Sequence, residues 1–223
     1  MVEIQGKRVL ITGASSGIGK ALAFEFARKG AILILVARRI DRLQKVTQDI
    51  QGTFPQLPAP AAIRCDVSDR ESVSSLIHDC LDRYGGIDIM VNNAGTGIYG
   101  DTDKTSVSDF HSVLDVNFFG AVHCILEILP YMKRRGKGLV VNIASVAAKH
   151  GVPYLGAYSA SKAALAAMSQ SLRAELAGSG VSVMVAYPGY TQTDFFATEK
   201  LVGGGQMGLM LPRAKWQKQS SDP

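Results

Sequence analysis

The chain has 223 residues, is 47% hydrophobic and carries a formal charge of +5. That apolar content excludes a disordered chain, the length suits one domain or one domain with a tail, and the dispersed basic residues permit an anionic ligand without requiring nucleic acid. Three cysteines (Cys65, Cys80, Cys124) and four scattered histidines lack metal-ligand spacing, no apolar run reads as a membrane span, and no signal-peptide pattern precedes the first strand, so the expectation is a metal-free cytoplasmic protein with reduced thiols.

Residues 8–12 form a short, continuously apolar run, as a strand buried on both faces should. Directly after it comes Thr12-Gly13-Ala14-Ser15-Ser16-Gly17-Ile18-Gly19, which opens a helix over 17–29. Glycines let the chain turn sharply and let a phosphate approach the backbone, and the helix start offers unpaired amides and a positive dipole end. Gly13, Ser15, Ser16, Gly17, Ile18 and Gly19 are therefore candidate contacts for a pyrophosphate. The spacing departs from Gly-x-Gly-x-x-Gly, and an ordinary strand-to-helix turn is the alternative.

A second strand over 31–37 runs into Arg38 and Arg39, and a helix follows over 39–52. An acidic side chain near this point would hold the 2′-hydroxyl of NAD. Arginines suit a 2′-phosphate instead, so NADP(H) is preferred, with Arg38 the stronger candidate and Arg39 also readable as a solvated helix start. After the loop Pro55-Gln56-Leu57-Pro58-Ala59-Pro60, a strand over 61–65 and a helix over 69–84 are expected. The strand over 87–92 ends in Asn92-Asn93-Ala94-Gly95, a small turn that can lie under a cofactor at a strand carboxyl end.

One helix is expected over 106–135. It carries Asn117 between Val116 and Phe118-Phe119, where a buried amide needs a specific partner. Its end, Lys133-Arg134-Arg135-Gly136-Lys137, reads as a solvated terminus where cations suit the dipole. Ser145 follows a strand over 139–143, and a helix over 154–179 carries Tyr158 and Lys162, one turn apart on one face. An ammonium about 4 Å from a phenol, at an effective dielectric near 20, favours phenolate by about 4 kcal/mol. That makes a proton donor and acceptor for near-neutral pH. A strand over 181–187 closes the series, Gly30, Gly85 and Gly136 stop helices, and the pattern decays after Phe196 with no clear strand.

Strand–helix alternation implies an α/β fold: a single doubly wound Rossmann-type parallel sheet with helices on both faces. Residues 1–196 form this catalytic, NADP(H)-binding domain, and 197–223 a shortened, partly flexible lid and tail.

The ordered set Thr12-Gly13-x-x-x-Gly17-x-Gly19, Asp66, Asn92-Asn93-Ala94-Gly95, Asn117, Ser145, Tyr158-x-x-x-Lys162 and Pro188-Gly189 with Thr191 resembles the short-chain dehydrogenases/reductases. The resemblance runs from Lys7 to Phe196. It implies that Tyr158 is the general acid or base, that Lys162 favours phenolate and binds the nicotinamide ribose, and that Ser145 orients the carbonyl. It implies that Asn117 helps place a water in a proton relay, that Asp66 and Val67 lie near the adenine, and that Pro188, Gly189 and Thr191 close around the nicotinamide. Asn93, Ala94 and Gly95 join the cofactor-binding set. The family's further helix, seventh strand and full lid have no counterpart in the pattern of residues 191–223, so the last strand and lid are expected to be missing.

These observations favour an NADPH-dependent oxidoreductase acting on a carbonyl or secondary alcohol. The alternative is an NADP(H)-binding sensor or partner subunit without turnover. The resemblance also implies that Val146, Val152, Tyr154, Tyr190, Phe195 and Phe196 lie around the pocket, which suits an apolar or aromatic carbonyl compound rather than a highly charged one. The apolar excess of 118–132 and the small-residue surface of 157–176 suggest a homodimer or homotetramer.

Overall fold

The computed structural model describes residues 3–189 and 200–202. Five helices and six strands alternate through most of the chain: β1 (Arg8–Thr12), α1 (Gly17–Arg28), β2 (Ile32–Ala37), α2 (Ile40–Thr53), β3 (Ala61–Arg64), α3 (Arg70–Tyr84) and β4 (Ile89–Asn92) come first. After the short β5 (Ile98–Gly100) come α4 (Val107–Leu114), α5 (Gly120–Arg135), β6 (Gly138–Ile143), α6 (Gly156–Glu175), β7 (Val181–Ala186) and β8 (Lys200–Val202); α4 is the sixth helix. The main sheet is fully parallel in the order β3-β2-β1-β4-β6-β7. Strand order reverses between β1 and β4, and that is where a crevice opens at the carboxyl ends.

The expected doubly wound fold is therefore what forms, because alternate residues of each apolar strand feed two cores. Val9, Ile11, Leu33, Leu35, Ile89, Val91, Val141 and Ile143 pack against Ala23 and Ala27 of α1 and Leu43, Val46 and Ile50 of α2. Leu10, Ile34, Val36, Met90, Val140 and Val183 pack on the other side against α3, α5 and α6. The three thiols are free and buried in the second core. Desolvation pushes Cys80 up to about 12 and Cys124 higher still, so neither is a ready nucleophile or ligand.

Four local expectations are corrected. The stretch 106–135 is continuous but not uniform: a π-helical turn, Asp115–Phe119, joins α4 to α5, with Gly120 N donating to Asp115 O. The same stretch, Val107–Arg135, is by length and composition apolar enough to cross a membrane, against the expectation that no run is; here Cys124, Ile125, Ile128 and Met132 bury its inner face in the core. Helix α6 begins at Gly156 rather than 154, because Tyr154 has φ +66° and cannot belong to a right-handed helix. A strand does follow residue 190: β8 pairs in parallel with β5.

The fourth correction concerns the basic run at the end of α5. Lys133 and Arg134 are solvated, but Arg135 Nη1 donates to Asp88 Oδ1 at 3.1 Å. Asp88 also accepts from Arg8 through Nε (2.8 Å), Nη2 (2.9 Å) and the backbone amide (3.0 Å). Burial alone would push this carboxyl up. The Arg8 hydrogen bonds and charge, with Arg135, outweigh it and hold the carboxyl well below the usual range.

Candidate active site

The site is built where β1 and β4 end side by side. Thr12, the last residue of β1, donates its hydroxyl to Val91 O at 3.3 Å and accepts from the amides of Asn93 and Ala94, both at 3.0 Å. Asn93 Nδ2 returns the tie, donating to Thr12 O (2.9 Å) and Gly13 O (3.2 Å). The Asn93-Ala94-Gly95 turn is thus a strut that fixes the glycine loop. Thr12 opens the glycine motif in the sequence, but its tie to the Asn93 turn has no local signal beyond a lone hydroxyl ending an apolar strand. Close packing explains two glycines: Gly13 has φ +66°, and a Cβ on it would lie 2.7 Å from Ala94 Cα. A Cβ on Gly19 would meet Gly13 O at 2.4 Å.

Above this strut the first turn of α1 is open. Ser16 occupies the cap position but makes no side-chain cap bond, whereas Asp69 caps α3 and Ser106 forms a full capping box on α4. The amides after Ser16 and Gly17 are left for a ligand, and the dipole favours an anion. Two cations stand nearby. Arg39 Nη2 donates to Ser16 Oγ at 3.4 Å, and Arg38 Nη1 lies 3.8 Å from Asp66 Oδ2 with 63% of its side chain exposed. An uncapped helix start flanked by two arginines is a donor set that fits the phosphates of a dinucleotide. Asp66 Oδ1 meanwhile accepts from Ser68 N and Oγ, so this residue both caps its own turn and faces Arg38.

Val67 does not reach into the crevice with its side chain. It is buried against Gly120, where a Cβ would approach Val67 Cγ2 to 2.6 Å, and its carbonyl accepts from His123 Nδ1 at 3.0 Å. Any role toward an adenine is confined to its main chain.

Helix α6 brings Tyr158 and Lys162 to the same carboxyl-end crevice. Lys162 is 4% exposed, its Nζ donates to Ile143 O at 2.8 Å, and it lies 5.9 Å from the Tyr158 ring centroid. Burial lowers its pKa to about 8. A Cβ on Gly95 would stand 3.5 Å from this Nζ and 3.3 Å from Asn117 Oδ1, so three distant segments converge on one spot. The Asn117 side chain is fully used: Oδ1 accepts from Thr96 N (2.7 Å), and Nδ2 donates to Thr96 O (2.8 Å) and Ser161 Oγ (2.9 Å). Ser161 Oγ in turn donates to Tyr158 O at 2.7 Å, linking the π turn to the Tyr158 backbone. Ser161 was not singled out from sequence, although it lies one helical turn after Tyr158.

Ser145 sits just beyond β6. Its Oγ accepts from Ala147 N at 3.2 Å, which leaves its proton directed to no acceptor among the described residues. Pro188 O accepts from Val146 N at 3.0 Å, so the Pro188-Gly189 segment is tied beside Ser145. Below the crevice a buried ladder holds α6 in place: Asn92 Nδ2 donates to Asn142 Oδ1 (2.8 Å), Asn142 Nδ2 to Ser169 Oγ (2.8 Å), and Ser169 Oγ to Leu165 O (2.6 Å). Thr191, Tyr190, Phe195 and Phe196 lie outside the described residues. Among the described residues no group of His, Cys, Asp or Glu could hold a metal ion.

Fold and site together define a doubly wound α/β protein with a Tyr–Lys pair near the strand carboxyl ends. The sequence matches the model of the short chain dehydrogenase family over residues 7–201. Dehydrogenase/reductase SDR family protein 7-like of Anopheles gambiae is 42% identical over 210 residues, covering 93% of this chain and 66% of its own length. Dehydrogenase/reductase SDR family member 7B of Danio rerio is 39% identical over 210 residues, covering 93% and 68%. This chain thus spans about two thirds of the length of these curated relatives. Among solved structures, levodione reductase superposes with a TM-score of 0.83 at 30% identity, covering 86% of this chain and 74% of that one. An alcohol dehydrogenase of Thermococcus sibiricus, complexed with 5-hydroxy-NADP, gives 0.80 at 32% identity, covering 88% and 81%. A short-chain dehydrogenase/reductase of Burkholderia phymatum in complex with NAD gives 0.82 at 31%, covering 87% and 69%. The chain belongs to the short-chain dehydrogenase/reductase family, a family of oxidoreductases.

Proposed function

We propose that the chain is an NADP(H)-dependent carbonyl reductase, or the reverse alcohol dehydrogenase, with Tyr158 as the general acid or base. The observation that carries the reading is the convergence of Lys162 Nζ, Asn117 and Gly95 beside the Tyr158 ring. A bound nicotinamide supplies or accepts the hydride. The open amides at the start of α1, with Arg39 on Ser16, take the pyrophosphate, and Arg38 takes the 2′-phosphate. Ser145 donates its hydroxyl proton to the carbonyl oxygen and stabilises negative charge as it develops there. Tyr158 donates its phenolic proton to the same oxygen during reduction and takes it back during oxidation. Lys162 in its charged form favours the phenolate and binds the ribose. Because burial draws its pKa to about 8, its charge is at stake near neutral pH and needs the phenolate and ribose as partners. With the Asn117 side chain spent, its part in a relay falls to the main chain of the π turn, a distortion frequent at functional sites.

The substrate is a small, apolar carbonyl compound, since Val146 remains 48% exposed beside Ser145. Phe119 and Leu126, exposed on the outer side of the long helix, offer a face for a homo-oligomer. The free cysteines suit a reducing, cytoplasmic setting.

The test is NADPH oxidation by the purified full-length chain across aldehydes and ketones. Turnover on any class excludes the non-catalytic sensor. Tyr158→Phe is expected to lower kcat by about 10²–10⁴ while leaving NADPH affinity nearly unchanged. Full activity in that variant would overturn the assigned chemistry.

A further inference from the structure

The direction of the Ser145 hydroxyl is set by the short turn that follows it. Ser145 caps a single 3₁₀ turn, Val146–Ala148, and its Oγ accepts from Ala147 N at 3.2 Å. Ala148 N donates to Ser145 O and Lys149 N to Val146 O, both at 3.0 Å. One turn with the poorer bonds of a 3₁₀ helix holds weakly on its own, so its placement depends on ties to its surroundings. A shift of the turn carries the hydroxyl with it.

Three ties lead from this turn to one neighbouring segment, the end of β7 and the two residues after it. Ala144 N donates to Ala186 O at 2.8 Å and Val146 N to Pro188 O at 3.0 Å, so the backbone is fixed on either side of Ser145. At the far end of the turn the Lys149 ammonium lies 4.9 Å from the centroid of the Tyr187 ring. Tyr187 stands between the two backbone acceptors, Ala186 and Pro188. An exposed lysine is ordinarily solvated or paired with a carboxylate; this one pairs with none among the described residues and lies over a ring of the segment that already holds Ser145. Beyond Lys149 the chain runs exposed through His150 and Gly151, and a Cβ on Gly151 would meet nothing within 4 Å. The backbone is held again at Val152, whose amide donates to Ser159 Oγ at 3.2 Å.

We propose that the Lys149–Tyr187 contact is a clamp that positions Ser145, closing the far end of the turn on residues 186–188 so that the hydroxyl is held ready for the substrate oxygen. This rests on the reading of Ser145 as the group that donates to that oxygen. Lys149 and Tyr187 are positioning residues that act through Ser145. An exposed cation–π contact is weak, so the clamp biases the turn rather than locking it. Its loss should favour the open turn by about two- to fivefold.

The test uses the full-length chain and the variants Lys149→Met, Lys149→Arg, Tyr187→Leu and Tyr187→Phe. Two quantities are read: kcat for NADPH-dependent reduction of benzaldehyde and cyclohexanone, and hydrogen exchange of the Val146 amide by NMR. Lys149→Met and Tyr187→Leu should each lower kcat and speed Val146 exchange about two- to fivefold. The two combined should do no more than either alone, because the contact needs both partners. Lys149→Arg and Tyr187→Phe should keep both quantities, since a guanidinium also stacks on a ring and phenylalanine keeps the ring face. In a Ser145→Ala background Lys149→Met should lower kcat no further. A loss that persists there marks a general brace and overturns the proposal, as does an unchanged kcat or an unchanged exchange rate in the single variants. If Ser145→Ala is too slow to read, Val146 exchange decides. If neither carbonyl compound turns over with the wild type, the carbonyl-reductase reading loses its support and exchange still decides the clamp: faster exchange in Lys149→Met and Tyr187→Leu supports it, and unchanged exchange overturns it.

Discussion

At the amino ends of the strands, Asp88 accepts four hydrogen bonds from Arg8 and Arg135, and Tyr131 Oη donates to Gly85 O at 2.8 Å to close the same corner. At the carboxyl ends Lys162 is buried with one backbone carbonyl and no carboxylate partner among the described residues, α1 starts without a side-chain cap, and Tyr154 holds a left-handed backbone. One end has its polar groups matched within the protein; the other leaves charge, amides and rings unmatched. Matched groups stabilise the fold, and unmatched groups are what a ligand can satisfy. The two ends should therefore respond in opposite directions when altered.

The largest effect is expected at the matched end. Asp88→Asn leaves Arg8 and Arg135 facing an uncharged amide. Breaking such a pair costs about 3–5 kcal/mol when deeply buried, and about 2–3 here because the two arginine side chains keep partial solvent contact. For a chain of this size the melting temperature should fall by roughly 5–10 °C at pH 7, with NADPH affinity unchanged. The pH dependence gives the sign. The folded pKa of Asp88 lies below its unfolded value, so its contribution is complete at neutral pH and is lost as pH falls through the folded value. Melting curves of wild type and variant should converge in acid; a constant gap would mean that the carboxylate charge is not what stabilises this corner.

At the open end the sign reverses. Lys162→Met removes a buried ammonium whose pKa is lowered to about 8 from 10.5. That shift corresponds to a penalty of roughly 3 kcal/mol in the cofactor-free protein, offset by about 1 kcal/mol for the lost bond to Ile143 O. The unfolded chain binds the proton more tightly, so the penalty is complete below about pH 8 and fades as pH rises toward 10.5. Urea unfolding should therefore show the inactive variant more stable by about 2 kcal/mol at pH 7, with most of that advantage gone at pH 10. A variant less stable at pH 7 would show that the ammonium is better solvated than its burial suggests.

The two ends also differ in how legible they were in the sequence. The six sheet strands and the helices around them declare themselves because each strand is a short apolar run feeding both cores, and Gly85 and Gly136 take left-handed C-cap positions. The glycine loop follows β1, Ser145 follows β6, and Tyr158 and Lys162 lie on one helix, as the order of apolar runs and the helical spacing predict. What stayed hidden depends on partners far apart in sequence. Arg135 looks like any terminal cation until Asp88, 47 residues away, is beside it. Strands β5 and β8 are three residues each and pair across some hundred positions, too short for a periodicity to register. The π turn at Asn117 follows from its side chain reaching Thr96 and Ser161, and Val67 is turned into the core by the space at Gly120. None of these signals is local.

The smallest expected effect separates cofactor recognition from stability at the open end. Arg38 is largely exposed and 3.8 Å from an exposed Asp66, a pair that contributes about 0–1 kcal/mol to folding. Arg38→Ala should thus leave the melting temperature almost unchanged. Toward a 2′-phosphate the same guanidinium makes a charge-assisted contact, typically about 1.5–3 kcal/mol, or roughly 10–100-fold in affinity. Fluorescence titration should show NADPH binding weakened by that factor and NADH binding weakened little. Arg39→Ala is the control, because Arg39 leans on Ser16 in the phosphate loop and its loss should weaken both cofactors alike. Equal losses of NADPH and NADH in Arg38→Ala would mean that its charge serves the pyrophosphate loop as a whole, and the preference for NADP(H) would have no residue left to carry it.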